Sequence, residues 1–284
     1  MKKFTLLLMS LLVVSLFAIA QKKLCVHKLD GTRIEVLASE VSYIDFEDVA
    51  TDPDDDPVVP PVKPDDGTDS SGVANGHDWV DLGLPSGTKW ATMNVGADSP
   101  KDYGDYFAWG ETSRKSTYNW STYKWMNDGM SSWIDVNKYT FADRQTDAVW
   151  YNESGEFIGD GKITLDLTDD AAYVNWGSSW RMPTKAEQDE LRNSSYTTWI
   201  WTTHTGVKGY KVTSKINGNS IFLPAAGYLS DSSRINAGFY GGYWSSSLGA
   251  KYSFQAYELY FGSGNFDSDG YPRCSGRSVR AVLR

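Results

Sequence analysis

The stretch Trp176-Gly177-Ser178-Ser179-Trp180-Arg181-Met182-Pro183-Thr184-Lys185-Ala186-Glu187-Gln188-Asp189-Glu190-Leu191 holds the clearest helix start in the chain. Thr184 follows Pro183 and stands three residues before Glu187. A threonine hydroxyl there can accept from the Glu187 amide while the Glu187 carboxylate reaches back, the reciprocal arrangement of a capping box. Gln188, Glu190 and Leu191 carry the helix on. A second short helix is predicted over 169–175. Around these two helices the pattern changes to short apolar runs punctuated by Gly, Ser and Asn. Strands are predicted at Trp79–Leu82, Lys89–Val95, Tyr210–Ser214, Ile221–Leu223, Tyr243–Ser246, Ala256–Phe261 and Ser278–Val282. Few helices among many short strands and long loops predict an α+β body over residues 76–284. Between about 112 and 168 aromatics are scattered without period, which reads as a long elaborated insertion. No repeat of solenoid or propeller type is present.

Outward from the body, the chain changes character twice. Residues 49–75 read as a linker: five of the ten prolines fall between Pro53 and Pro64, among aspartates, before Gly, Ser and Asp take over. Proline and like-charge repulsion make such a segment stiff and extended. Asp54-Asp55-Asp56-Pro57 lacks the alternation and central glycine of a calcium loop. Residues 21–48 read as a small β unit. Asp30-Gly31-Thr32 turns between Leu24/Val26 and Ile34/Val36, and Val41–Phe46 alternates as a third strand. The first twenty residues, with Met1-Lys2-Lys3, an apolar run from Phe4 and Ala18-Ile19-Ala20, read as a secretory signal peptide. No cysteine follows those small residues, so lipid anchoring is not expected. The mature chain is expected to start at Gln21, in the periplasm, in the cell envelope or outside a bacterium, with no transmembrane helix.

The formal charge of −9 is concentrated. Residues 45–69 hold ten acids against Lys63 alone, whereas residues 70–284 carry 20 bases and 23 acids. A near-neutral body has no basic face for nucleic acid and no polybasic patch for membranes. All 12 tryptophans lie between Trp79 and Trp244. Aromatics at this density bury a core or stay exposed to bind something.

Catalytic signatures are sparse. His27, His77 and His204 lack partners at zinc-ligand spacing, and no metal or other cofactor is expected. No Gly-x-Ser-x-Gly elbow occurs. Gly159-Asp160-Gly161-Lys162 is followed by Ile163 where a phosphate loop needs Ser or Thr, and reads as a turn before a strand at Ile163–Leu167. Asn119-Trp120-Ser121, Asn152-Glu153-Ser154 and Asn193-Ser194-Ser195 are chance-length glycosylation strings. Cys25 and Cys274 either pair or remain independent thiols, because sequence cannot test disulfide geometry.

Taken in order, "HDWVDLGLPSGTKWATMNVGA" (77–97), "DYGDYFAWGET" (102–112), "WGSSWRMPTKAEQDEL" (176–191), "GYKVTS" (209–214), "SIFLPAAGY" (220–228), "YWSSS" (243–247) and "GRSVRAV" (276–282) resemble the Fibrobacter succinogenes major paralogous domain family across the whole body. The segment from Leu24 to Glu47 resembles the short unit that precedes this domain in secreted proteins. The resemblance implies a C-type-lectin-like fold in the branch shared with formylglycine-generating enzymes and retroelement-diversified variable proteins. It implies adjacent termini and a loop-rich face on a rigid base. Two departures narrow this. Trp125-Met126-Asn127-Asp128 has no accompanying Glu-Pro-Asn loop for calcium-mediated sugar binding. Cys274 is the only body cysteine, where the formylglycine-generating chemistry needs two.

Residues 243–276 are the expected binding face: in the retroelement-diversified proteins that the resemblance brings in, the randomised codons lie just ahead of the closing strand, although an ordinary exposed loop has a similar composition. "FDSDGYPRCSG" (266–276) holds the residue types such codons yield. Phe266, Asp267, Asp269, Tyr271 and Arg273 are the candidate contacts, read as an exposed loop. Tyr257 and Tyr260 either line this face or pack beneath it. Exposed Tyr, Phe and Arg combine large contact area with few rotors. Trp90, Trp109, Trp176, Trp180 and Trp244 are expected in the framework. The sequence therefore reads as a non-catalytic module presenting this face to a glycan or protein. The rival readings are an enzyme of the formylglycine-generating branch or another carbohydrate-active enzyme, and a structural envelope component.

Overall fold

A computed structural model describes residues 23–27, 33–37, 70–127, 131–141, 154 and 159–284, the first two segments by backbone alone. The chain divides into two units, 1–61 and 62–284. In the first, β1 (Lys23–His27) and β2 (Arg33–Leu37) pair antiparallel, with Cys25 opposite Glu35. This matches the hairpin expected around Asp30-Gly31. The signal peptide, the third strand at Val41–Phe46 and most of the linker lie outside the described residues.

In the second unit the Ser/Gly end of the expected linker joins the body. Here β3 (Ser71–Ala74) pairs with β4 (His77–Asp81), and Gly72 lies against the Trp79 ring, where a Cβ would come within 2.6 Å of it. β5 (Lys89–Ala91) follows. The insertion then runs through single 3-10 turns at Trp120–Thr122, Trp133–Asp135 and Leu167–Asp169. Its buried Asp169 carboxylate ties these turns together, accepting from Tyr139 Oη (2.5 Å), Lys138 Nζ (2.6 Å) and Lys124 Nζ (3.3 Å). Burial alone would raise the Asp169 pKa, but these donors hold it below the ordinary value. Gly159–Lys162 is a turn, as read: the Asp160 carboxylate accepts from the amides of Tyr139, Thr140 and Lys162. The strand expected after it reduces to one bridge between Thr164 and Ser247.

Helix α1 (Ala171–Trp176) is capped by Asp170, whose carboxylate also accepts from the Met182 amide. It leads into β6 (Trp180–Arg181) and α2 (Lys185–Arg192). The capping box read from sequence is present: Thr184 Oγ1 accepts from Glu187 N at 3.2 Å, and Glu187 accepts from Thr184 N at 2.7 Å. Glu187 also pairs with Arg181 (2.5 Å) and accepts from Thr88 Oγ1 (3.0 Å), so the motif fastens α2 to the first sheet.

Two three-stranded antiparallel sheets follow. The first comprises β7 (Thr197–His204), β8 (Val207–Ser214) and β9 (Ser220–Pro224). A small hairpin, β10 (Tyr228–Ser230) and β11 (Ser233–Ile235), leads to the second, β12 (Tyr240–Leu248), β13 (Gln255–Gly262) and β14 (Asn265–Pro272). The chain ends on β15 (Val282–Leu283), which inserts between β5 and β6 to complete the five-stranded order β3-β4-β5-β15-β6. Among the described residues the body is thus β-rich with two short α-helices, an α+β arrangement. Trp90, Trp109, Trp176, Trp180 and Trp244 are all buried. Among the described residues no helix is long and apolar enough to cross a membrane.

Candidate functional site

The meander β12-β13-β14 covers most of the segment expected to bind, and strand alternation sorts its side chains onto two faces. Register pairs Tyr243 with Leu259, and Phe261 with Phe266. This inner face packs on the first three-stranded sheet: Phe266 stacks on Trp199 (4.6 Å, 17°) and Phe261 lies 5.3 Å from Tyr210. Tyr257 shares that parity. It sits under the Lys185 ammonium at 4.9 Å and lines a groove of about 390 Å³ with Thr184, Asp189 and Leu248.

The outer face carries Tyr240, Gly242, Trp244, Ala256, Glu258, Tyr260, Asp267, Asp269 and Tyr271, of which Trp244, Ala256 and Glu258 are buried. Arg277 arrives over the Gly242–Glu258 part of this face from the closing segment, held by reciprocal backbone bonds with Phe107 (2.9 Å each way). Its fully buried guanidinium lies 4.1 Å from the Tyr271 ring and 4.3 Å from the Tyr228 ring. Arg277 Nε donates to Glu258, and the other Glu258 oxygen accepts from Tyr240 Oη at 2.8 Å. Tyr240 in turn stacks on Tyr260 (6.1 Å, 14°) and meets Tyr228 edge-on at 5.8 Å. Four half-buried tyrosines thus stand on one buried ion pair.

The glycine pair Gly241-Gly242 makes room for this. A Cβ on Gly242 would come within 2.8 Å of both Arg277 Cδ and Glu258 Oε2, and one on Gly241 within 2.2 Å of the Phe261 ring. Electrostatics act on two of these phenols. Burial and the Glu258 charge push the Tyr240 pKa far up; burial and neighbouring Tyr271 raise that of Tyr228. Burial works against the Arg277 charge, yet Glu258 outweighs it and the guanidinium pKa is raised. Arg277 Nη2 has no acceptor among the described residues. The arrangement offers aromatic faces, phenol groups and rim carboxylates.

The seven candidate residues divide accordingly. Tyr260, Asp267, Asp269 and Tyr271 lie on the outer face. Asp267 is exposed and reaches Arg192 at 2.9 Å; Asp269 is exposed and accepts from the Gly270 amide. Tyr257 and Phe266 lie on the inner face. Arg273 requires a correction: it is fully buried and presents nothing to solvent. After Pro272 the chain turns inward. The Arg273 guanidinium then donates to Tyr123 Oη (2.9 Å) and the carbonyls of Tyr139 (3.1 Å), Ser253 (2.8 Å) and Lys138 (2.8 Å), bracing the insertion. The exposed loop expected at 266–276 is likewise a strand to Pro272 and a buried segment beyond it. Cys274 there is a free, buried thiol, its pKa pushed up to about 12 by burial; the Cys25 side chain lies outside the described residues.

Tyr228, Tyr240, Glu258 and Arg277 belong to the outer face and were not among the sequence candidates. A usable signal existed for the strand: Phe-Asp-Ser-Asp-Gly-Tyr (266–271) alternates small or apolar with polar residues, a period of two. Among the described residues no group of three or more His, Cys, Asp or Glu converges as a metal site. Comparison of the chain with protein-family models, with curated proteins and with solved structures returned no match.

Proposed function

We propose that the body is a C-type-lectin-like, non-catalytic binding head of an exported bacterial protein, and that the outer face of the meander takes a glycan. The observation that carries this reading is the tyrosine cluster over the Glu258–Arg277 pair. Half-exposed rings give flat apolar surface for a sugar ring, while Asp267 and Asp269 at the rim supply acceptors for hydroxyls. A rigid buried support lowers the ordering cost of binding. The lectin-like fold is supported by the first and last strands of the body lying in one sheet, with Val282 opposite Trp90. Export is supported by the basic, apolar and small-residue pattern of residues 1–20, and the acidic Pro/Asp segment acts as the spacer that carries the head.

The test is a glycan array followed by calorimetry on the full chain, with Tyr260→Ala and Asp269→Ala as variants. Both are expected to weaken binding at least tenfold with thermal stability retained. Glycan affinity unchanged by either places the site elsewhere. Failure of every glycan alongside capture of an envelope protein that both variants abolish replaces the sugar with a protein ligand.

A further inference from the structure

The strand β7 has a property unrelated to the tyrosine face. Thr197-Thr198-Trp199-Ile200-Trp201-Thr202-Thr203 reads identically in both directions about Ile200. β7 is the outer strand of its sheet: it pairs with β8 along one edge, and among the described residues no strand pairs along the other. Edge strands are ordinarily protected by charge, proline, a bulge or shortness. β7 has none of these. It is eight residues long, carries no Asp, Glu, Lys, Arg, Pro or Gly, and runs in unbroken register with β8 from Thr197 opposite Ser214 to His204 opposite Val207. Ile200 at its centre is 55% exposed, an apolar side chain left in solvent at the midpoint of the palindrome.

Backbone geometry places the open hydrogen-bonding groups to suit a symmetric partner. The two-residue turn Thr205-Gly206, both at positive φ (45° and 87°), makes His204 and Val207 a hydrogen-bonded pair. Bonding alternates along an antiparallel ladder, so Thr202, Ile200 and Thr198 also point their backbone groups at β8. Trp199, Trp201 and Thr203 therefore point theirs at the open edge. Thr197 shares that parity, and its amide is taken by the Asn193 carbonyl at 3.1 Å.

We infer that β7 pairs antiparallel with β7 of a second copy of this chain, about a twofold axis through Ile200. That register sets Ile200 against Ile200 at a non-hydrogen-bonded site, where facing side chains are closest. It sets Trp199 against Trp201, the residues with open backbone groups, and Thr198 against Thr202. Every side chain meets its own kind or its neighbour in the palindrome, and no charge is buried. The contact is isologous, so it closes at a dimer and joins two three-stranded sheets into one of six.

Sedimentation velocity of the full chain over a range of concentrations is expected to show a reversible monomer–dimer equilibrium. Ile200→Lys sets two ammoniums together on the axis and is expected to raise the dissociation constant at least tenfold. Its melting temperature as a monomer stays within about 2 °C of the parent's, as for an exposed side chain. In a Cys25→Ser background, Ile200→Cys is expected to form a covalent dimer on mild oxidation, whereas Ile216→Cys, equally exposed but off the strand, does not. A monomer at every concentration overturns the inference. So does a dimer indifferent to Ile200→Lys, or a ladder of higher oligomers, which a closed twofold contact forbids.

Discussion

Replacing Arg273 with Met keeps most of the side-chain volume and removes every hydrogen bond the guanidinium makes. Four acceptors lose their donor: the Tyr123 hydroxyl and the carbonyls of Lys138, Tyr139 and Ser253. A buried polar group left unsatisfied costs about 1–3 kcal/mol. Those losses are not additive, and the substitution also relieves the cost of burying a charge that no carboxylate among the described residues neutralises. The net destabilisation expected is about 4 kcal/mol. For a domain of this size each kcal/mol moves the melting temperature by about 2–4 °C, giving a fall of about 8–16 °C. Near-ultraviolet circular dichroism suits the measurement, because Trp109 lies 5.0 Å from the guanidinium and reports directly on the site. Affinity for any outer-face ligand, measured well below the new transition, should stay within threefold of the parent's. A melting temperature within 3 °C of the parent's would refute the bracing role. Intact folding with lost binding would return Arg273 to the surface.

Three further outcomes follow from the same geometry. Gly242→Ala forces a Cβ into the Glu258–Arg277 pair; a loss of about 1–3 kcal/mol in chemical denaturation is expected, and an unchanged midpoint would contradict the packing. Arg181 and Thr184 outweigh burial to hold the Glu187 pKa at about 2, below the ordinary 4.5. A folded-state pKa below the unfolded one means stability that is complete above about pH 4.5 and is lost as pH falls toward 2. Glu187→Gln should therefore unfold more readily at pH 7 and show a shallower acid limb across that window, read by urea titrations at several pH values. In a Cys25→Ser background the remaining thiol, Cys274, should resist a disulfide reagent at pH 8 until denaturant is added; rapid native-state reaction would contradict its burial.

The parts of the fold that local chemistry dictates were legible. The Thr184–Glu187 box, the pairing of β1 with β2 and the buried tryptophans each depend on residues a few positions apart or on simple apolarity. Long-range consequences were not. Arg273 and Tyr271 stand two residues apart in a polar run, and nothing in that run says that Pro272 ends a strand and the chain then dives inward. Trp199, Ile200 and Trp201 form one short apolar run between threonine pairs, without the two-residue alternation that marks a half-buried strand, so β7 is not legible as an element from sequence. The outer face was half legible for a similar reason. Tyr260 and Tyr271 fall inside the segment singled out, whereas Tyr228 and Arg277 come from beyond its ends and are joined to it only by topology.

The position of β15 has a temporal consequence. Val282 and Leu283, well after β6 in the sequence, supply the strand that joins β5 to β6. During synthesis from the amino terminus, the two halves of that sheet cannot be joined before Val282 and Leu283 have been made. Contacts separated by nearly two hundred residues make for slow folding. The body is consequently committed late and as a unit, and a variant in which Val282 and Leu283 are deleted is expected to remain an open, protease-sensitive form.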